Sequence, residues 1–198
     1  MQMLERLRQA HLIAIVRASS YEGAVAQAQT LVSAGVPILE VSWTTPNAIK
    51  VLSAVKKAGV VVGAGTILTE DTAKRAIEAG AEFLLAPNFS GKVHQVASES
   101  GVPYIPGVWT ASEVAQALSV GISVQKLFPA ATGGIPHLKA LSEPFPTVEF
   151  IPTGGVTIED AEAWIDAGAL AVGMGGALSR LHPDAIGKVV DVLRRGGR

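Results

Sequence analysis

At 198 residues, the chain has room for one domain that buries about 70% of its unfolded surface, enough for a full core without staples. It contains no cysteine, which excludes disulfides, thiolate nucleophiles, iron–sulfur clusters and cysteine zinc sites, and fits a cytoplasmic protein. The 16 basic and 17 acidic residues form no long run of like charge, so neither nucleic acid nor a membrane surface is an expected partner.

The first apolar run, Leu12 to Val16, is too short for a signal-peptide core or a spanning helix and reads as a strand. Ser20 then caps a segment in which Ala24, Ala28, Leu31 and Val32 recur at helical spacing, and Gly35 ends it. The second strand is Ile38 to Val41. Thr45 is the expected cap of the next helix, whose apolar face is Ala48, Val51, Leu52 and Val55 and whose end is Gly59. Further strands follow at Val60 to Val62, at Phe83 to Ala86 after a helix closed by Gly80, at Pro103 to Ile105, at Val124 to Phe128 and at Val148 to Ile151. Thr157 is the expected cap of a helix that ends at Gly168, and Ala169 to Val172 is the last strand.

Eight strand-like runs alternating with helical ones predict an α/β fold with a parallel sheet, and eight is the number that closes such a sheet into a (β/α)8 TIM barrel. A doubly wound open sheet also alternates in this way. Hydrophobic residues are 48% of the chain but aromatic ones only 5%, so Val, Ile, Leu and Ala must build the core, as suits parallel sheet under Ala-rich helices. No linker or charge block divides the chain, and residues 1–198 are expected to form a single barrel domain, short against the usual ~250 residues.

In a barrel the chemistry sits where each strand ends. Those places hold Arg17, Glu40, Thr66, Pro87 with Asn88, "PGVWT" from Pro106, Lys126, "PTGGV" from Pro152 and "GMGGAL" from Gly173. Strand alternation groups Ile38, Glu40 and Ser42 on one face, and Val124, Lys126 and Phe128 on another, so Glu40 and Lys126 are expected to enter the barrel interior from different strands. An amine held there is a candidate nucleophile and a carboxylate a candidate proton carrier, the equipment of Schiff-base chemistry. Residue types alone leave a structural ion pair equally open. The two Gly-Gly turns add a second signal. One alone reads as a tight turn, but two at the last two strands read as a phosphate or other anion site. His11, His94, His137 and His182 show no ligand spacing, and no metal is expected.

The stretches "IAIVR", "GVPILEVSWTT", "VGAGTIL", "AGAEFLLAPNF", "PYIPGVWTASE", "VQKLFPA" and "FIPTGGV" together resemble the bacterial 2-dehydro-3-deoxy-phosphogluconate aldolase / 4-hydroxy-2-oxoglutarate aldolase family over nearly the whole chain. The resemblance implies a class I, cofactor-free aldolase on a (β/α)8 barrel that assembles as a homotrimer and takes a small-molecule, phosphorylated 2-keto acid. It implies Lys126 as the Schiff-base residue and Glu40 as the general acid/base. It further implies Thr66 at the pyruvyl carboxylate, Pro87 and Phe128 shaping the pocket, and Thr153, Gly154, Gly155, Gly175 and Gly176 at a phosphate. Two positions depart from the family pattern: Thr44 stands where an arginine is expected, and Ala177 where a serine is expected. Arg17 is then the residue left to meet the carboxylate. Activity on a related acid such as the galactonate epimer, an isomerase or synthase acting on a phosphosugar, and an idle ligand-binding barrel are the competing readings.

Overall fold

A computed structural model describes residues 2–196. All eight expected runs become parallel staves. They are β1 (Leu12–Val16), β2 (Ile38–Ser42), β3 (Val61–Gly65), β4 (Leu84–Leu85), a fifth stave divided into β5 (Tyr104–Ile105) and β6 (Gly107–Val108), β7 (Val124–Leu127), β8 (Glu149–Pro152) and β9 (Val172–Met174). Pro106 divides the fifth because it has no N–H to give the ladder, though its carbonyl still accepts from Lys126 N at 2.8 Å. Helices α2 (Tyr21–Ser33), α3 (Ala48–Lys56), α4 (Glu70–Glu78), α5 (Gly91–Glu99), α6 (Ala111–Ser119), α7 (Ala130–Ser142) and α8 (Ala161–Asp166) lie between consecutive staves. The short α9 (Gly176–Ser179) and the long α10 (Pro183–Gly196) follow the last one.

Pairing runs β9-β1-β2-β3-β4-β5 and β6-β7-β8, every pair parallel. The ring closes where Thr153 bridges Gly173 and Leu170 N donates to Phe150 O at 2.9 Å. The open-sheet alternative is thereby overturned. Alternate residues divide the core in two. Leu12, Ala14, Leu39, Val41 and Val62 pack outward under the helices, whereas Ile13, Ile38, Val61, Phe83, Ile105, Val124 and Ile151 fill the lower barrel.

The amino-terminal helix α1 (Gln2–Ala10), which the sequence reading did not identify, closes the bottom of the barrel. Met3, Leu7 and Ala10 share one face and join the interior cluster. Arg8 ties this helix to β8 through two bonds to Glu149, at 2.6 and 3.2 Å.

Ser20 caps α2 as expected, its hydroxyl accepting from Gly23 N, and Gly35, Gly59, Gly80 and Gly168 take the left-handed φ that ends a helix. Two expected caps are corrected. The helix after Thr45 starts at Ala48 behind Asn47, itself left-handed at φ 55; Thr45 sits in a turn closed on Ser42 O, and its buried hydroxyl accepts from no helix N–H among the described residues. Thr157 and Asp160 exchange bonds, at 2.8 and 3.3 Å, and so cap a turn that precedes α8. The third stave also runs further than expected, through Gly63 and Gly65. Each glycine there lies directly under a large inward side chain, Phe83 and Glu40 respectively.

Candidate active site

Glu40 and Lys126 both point inward, as alternation required, and both are buried, at 1% and 6% exposure. Their staves, β2 and β7, are four steps apart in either direction around the ring, so the two side chains enter from opposite walls. Glu40 lies against the bare Cα of Gly65, where any side chain would collide with the carboxylate. Its Oε2 makes no hydrogen bond among the described residues, an arrangement that costs roughly 1–3 kcal/mol. Among the described residues no ion pair joins Glu40 to Lys126, which removes the structural ion pair as a reading. The ammonium group of Lys126 is instead 5.1 Å from the centre of the Phe128 ring, within cation–π range.

Above Lys126 opens a cavity of about 400 Å³. Arg17, Lys126, Phe128, Thr153, Gly154, Gly155, Gly175 and Gly176 all line it, so the fold brings most of the sequence-predicted residues together. Gly154 and Gly155 take φ of 90° and 85°, open to glycine and strained for other residues. A side chain on Gly154 would meet the Phe128 ring and one on Gly155 would meet Ala131. The backbone N–H groups of Gly154, Gly155 and Gly175 donate to no backbone carbonyl among the described residues. Thr153 is buried, its hydroxyl donating to Ile151 O at 3.2 Å, and it covers Gly173.

Three predicted residues are not in the cavity lining. Glu40 lies behind it in the wall. Pro87 is half-buried at the end of β4, its carbonyl against the Cα of Gly107. Thr66 is half-buried after β3, with φ of 61°, unusual for a β-branched residue. A hydroxyl chain nevertheless connects Thr66 to the cavity. Ser42 Oγ lies 3.2 Å from Thr66 Oγ1 and 2.9 Å from Thr44 Oγ1, and it accepts from Arg17 Nε at 3.2 Å. The Arg17 backbone N–H is bound by Gln27 Oε1, whose amide in turn donates to Ile15 O, so the end of β1 is braced by α2. A guanidinium is thus held beside position 44, where the family pattern has its arginine.

Sequence reasoning did not place Ser42 or Arg180 at the site, nor Thr157, which it read as a cap and which also lines the cavity. Ser42 was legible in principle, since it shares the inward face with Glu40. Arg180 was not, because only the turn of α9 folds it back onto Gly176, whose carbonyl accepts from Arg180 Nε at 2.8 Å. Among the described residues no group of three or more His, Asp or Glu side chains is placed to hold a metal ion.

A barrel that holds one buried lysine, without a counter-ion among the described residues, beneath an open cavity is a barrel enzyme suited to covalent chemistry on a carbonyl compound. Comparison with known proteins agrees. The family model for KDPG and KHG aldolases matches residues 3–189. The chain is 37% identical over 166 residues to the 2-dehydro-3-deoxy-phosphogluconate aldolase of Treponema pallidum, covering 82% of this chain and 79% of that one. It superposes with a TM-score of 0.85 on the 2-keto-3-deoxy-6-phosphogluconate aldolase of Zymomonas mobilis ZM4 solved with 3-phosphoglycerate, at 30% identity and with 100% of this chain and 96% of that one covered. The TM-score is 0.84 against the KDPG aldolase of Legionella pneumophila, solved with pyruvate captured as a covalent carbinolamine, at 31% identity and with 98% and 97% covered. The chain belongs to the KDPG and KHG aldolase family and is a lyase.

Proposed function

We propose that this chain is a class I aldolase that cleaves 2-dehydro-3-deoxy-6-phosphogluconate, and the shorter 4-hydroxy-2-oxoglutarate, to pyruvate and an aldehyde through a Schiff base on Lys126. The observation that carries the assignment is the burial of Lys126 beneath the cavity. It is the one buried cation among the described residues. The carbinolamine in the Legionella pneumophila relative supports the same covalent route.

In this mechanism the neutral amine of Lys126 adds to the C2 carbonyl, and a proton delivered to the carbinolamine hydroxyl lets it leave as water, giving an iminium ion. A base then takes the C4 hydroxyl proton. The C3–C4 bond breaks, its electron pair passing into the iminium to form an enamine, and the aldehyde departs. Protonation at C3 and hydrolysis release pyruvate and restore the amine. Glu40 is assigned the proton transfers, since its carboxylate has a buried oxygen without a hydrogen-bond partner and projects from the wall opposite Lys126. Arg17, with the Ser42 and Thr66 hydroxyls beside it, is assigned the pyruvyl carboxylate. Phe128 and Pro87 are assigned to the pocket wall. The Gly154, Gly155, Gly175 and Gly176 backbone is assigned the terminal phosphate, with Thr153, whose N–H and hydroxyl are bound to Leu127 O and Ile151 O, as the floor beneath it, in keeping with the 3-phosphoglycerate of the Zymomonas mobilis relative.

Borohydride added with pyruvate tests the central step. A reduced adduct on the peptide carrying Lys126 is expected, and it is lost in Lys126→Ala. Absence of an adduct on the wild-type protein would overturn the Schiff-base assignment. No helix of the described residues is long and apolar enough to cross a membrane. The family resemblance supports a cytoplasmic homotrimer of single-domain subunits, which sedimentation of the purified protein checks; a monomer would refute it.

A further inference from the structure

The charged residues that line the cavity are Arg17, Lys126 and Arg180, all cations. The first two have tasks at the reacting end: Lys126 meets the carbonyl and Arg17 is tied to the hydroxyls of the carboxylate end. Arg180 follows β9, the stave paired with β1, and lies with Gly176 and Ala177 beyond its end. Its Nε is spent on the Gly176 carbonyl at 2.8 Å, and Nη2 lies alongside the same residue, 3.6 Å from where a Gly176 side chain would begin. Among the described residues neither Nη atom has a hydrogen-bond or ion-pair partner. The bond through Nε fixes the plane of the guanidinium while leaving its outer N–H groups free, the preorganisation that suits Arg to a phosphate.

We propose that Arg180 is the specificity-determining residue for the phosphorylated substrate, holding the terminal phosphate by its outer N–H groups. This deepens the phosphate reading given above and rests on it. A phosphate monoester brings a charge of about −1.5 to −2, which neutral backbone N–H groups and Ala177, with no hydroxyl to offer, leave unbalanced. Arg17, at the end of the neighbouring stave, is tied through Nε to Ser42; Arg180 supplies the positive charge held against the Gly176 backbone itself, so discrimination between phosphorylated and unphosphorylated keto acids depends on it.

The test is the ratio of kcat/KM on 2-dehydro-3-deoxy-6-phosphogluconate to that on 4-hydroxy-2-oxoglutarate. Arg180→Ala lowers the ratio on the order of 10- to 100-fold, the effect of losing hydrogen bonds to a charged group, through a higher KM for the phosphorylated acid. Arg180→Lys, which keeps the charge and loses the fork, recovers part of the ratio. Far-ultraviolet circular dichroism and the melting temperature of each variant establish that it is folded. A wild-type preference for the phosphorylated acid that Arg180→Ala retains within about twofold overturns the role of Arg180 alone, and so does a general loss on both acids. A wild-type enzyme that treats the two acids alike overturns the phosphate reading and this assignment with it.

Discussion

Gly65→Ala is the sharpest probe of the interior. Gly65 ends β3 with an ordinary strand backbone, so alanine meets no conformational penalty, but its methyl group would overlap the Glu40 carboxylate. Both partners are in a wall with almost no solvent access, and relief requires the carboxylate to rotate or the strands to part. Overpacking of this kind costs about 1–3 kcal/mol, which for a domain of this size lowers the melting temperature by about 2–12 °C. A carboxylate displaced by about 1 Å from the position used for proton transfer loses roughly 100-fold in kcat. Pyruvate release, followed with lactate dehydrogenase, measures the rate, and circular dichroism the melting. Gly91→Ala is the control: at the first residue of α5 a methyl group meets nothing within 4 Å, and both quantities stay near wild type. A Gly65→Ala enzyme with unchanged kcat and melting temperature refutes the claim that Glu40 is held in place by the absence of a side chain beneath it.

Arg17→Ala raises KM about tenfold for phosphorylated and unphosphorylated acids alike, because it removes a charge-assisted contact with the carboxylate they share; steady-state kinetics showing an unchanged KM would disprove its role. Leu7→Ala opens a cavity under the barrel at a fully buried position and lowers stability by about 2–4 kcal/mol in urea, while kcat under native conditions stays within about twofold, since α1 closes the end away from the cavity. Burial pushes the Tyr104 hydroxyl up to about 12, against an opposing bond from Ser90 N. Because the folded value exceeds the unfolded value of 10.0, this contribution to stability is intact below pH 10 and is lost as pH rises toward 12, by roughly 2–3 kcal/mol. Tyr104→Phe abolishes that part of the alkaline loss, and equal pH slopes for the two proteins in urea titrations would contradict it.

Much of the barrel was legible because parallel staves and their covering helices are local features. Each stave is a short apolar run, most helices end on a glycine that needs left-handed φ, and the inward or outward sense of Glu40 and Lys126 follows from a period of two. The failures were also local competitions. Thr45 has the chemistry of a cap, yet the turn it closes on Ser42 O buries its hydroxyl away from the helix N–H groups. Helix α1 has a single buried face, and that face has meaning only once there is an open barrel end to cover.

By itself, the sequence determined the alternating architecture, the class of chemistry available without cysteine, and the two interior residues able to perform it. Only the tertiary structure decided that Glu40 and Lys126 stand on opposite walls without an ion pair, that Gly63 and Gly65 are small because the side chains of Phe83 and Glu40 lie over them, and that Arg17 reaches the hydroxyls near Thr44. It alone turned Arg180 into the same cavity as Lys126, some fifty residues distant in the chain. The reason is physical: periodicity records which side of its own strand a residue occupies, whereas contact across a barrel depends on register and closure around the ring, which no local pattern encodes.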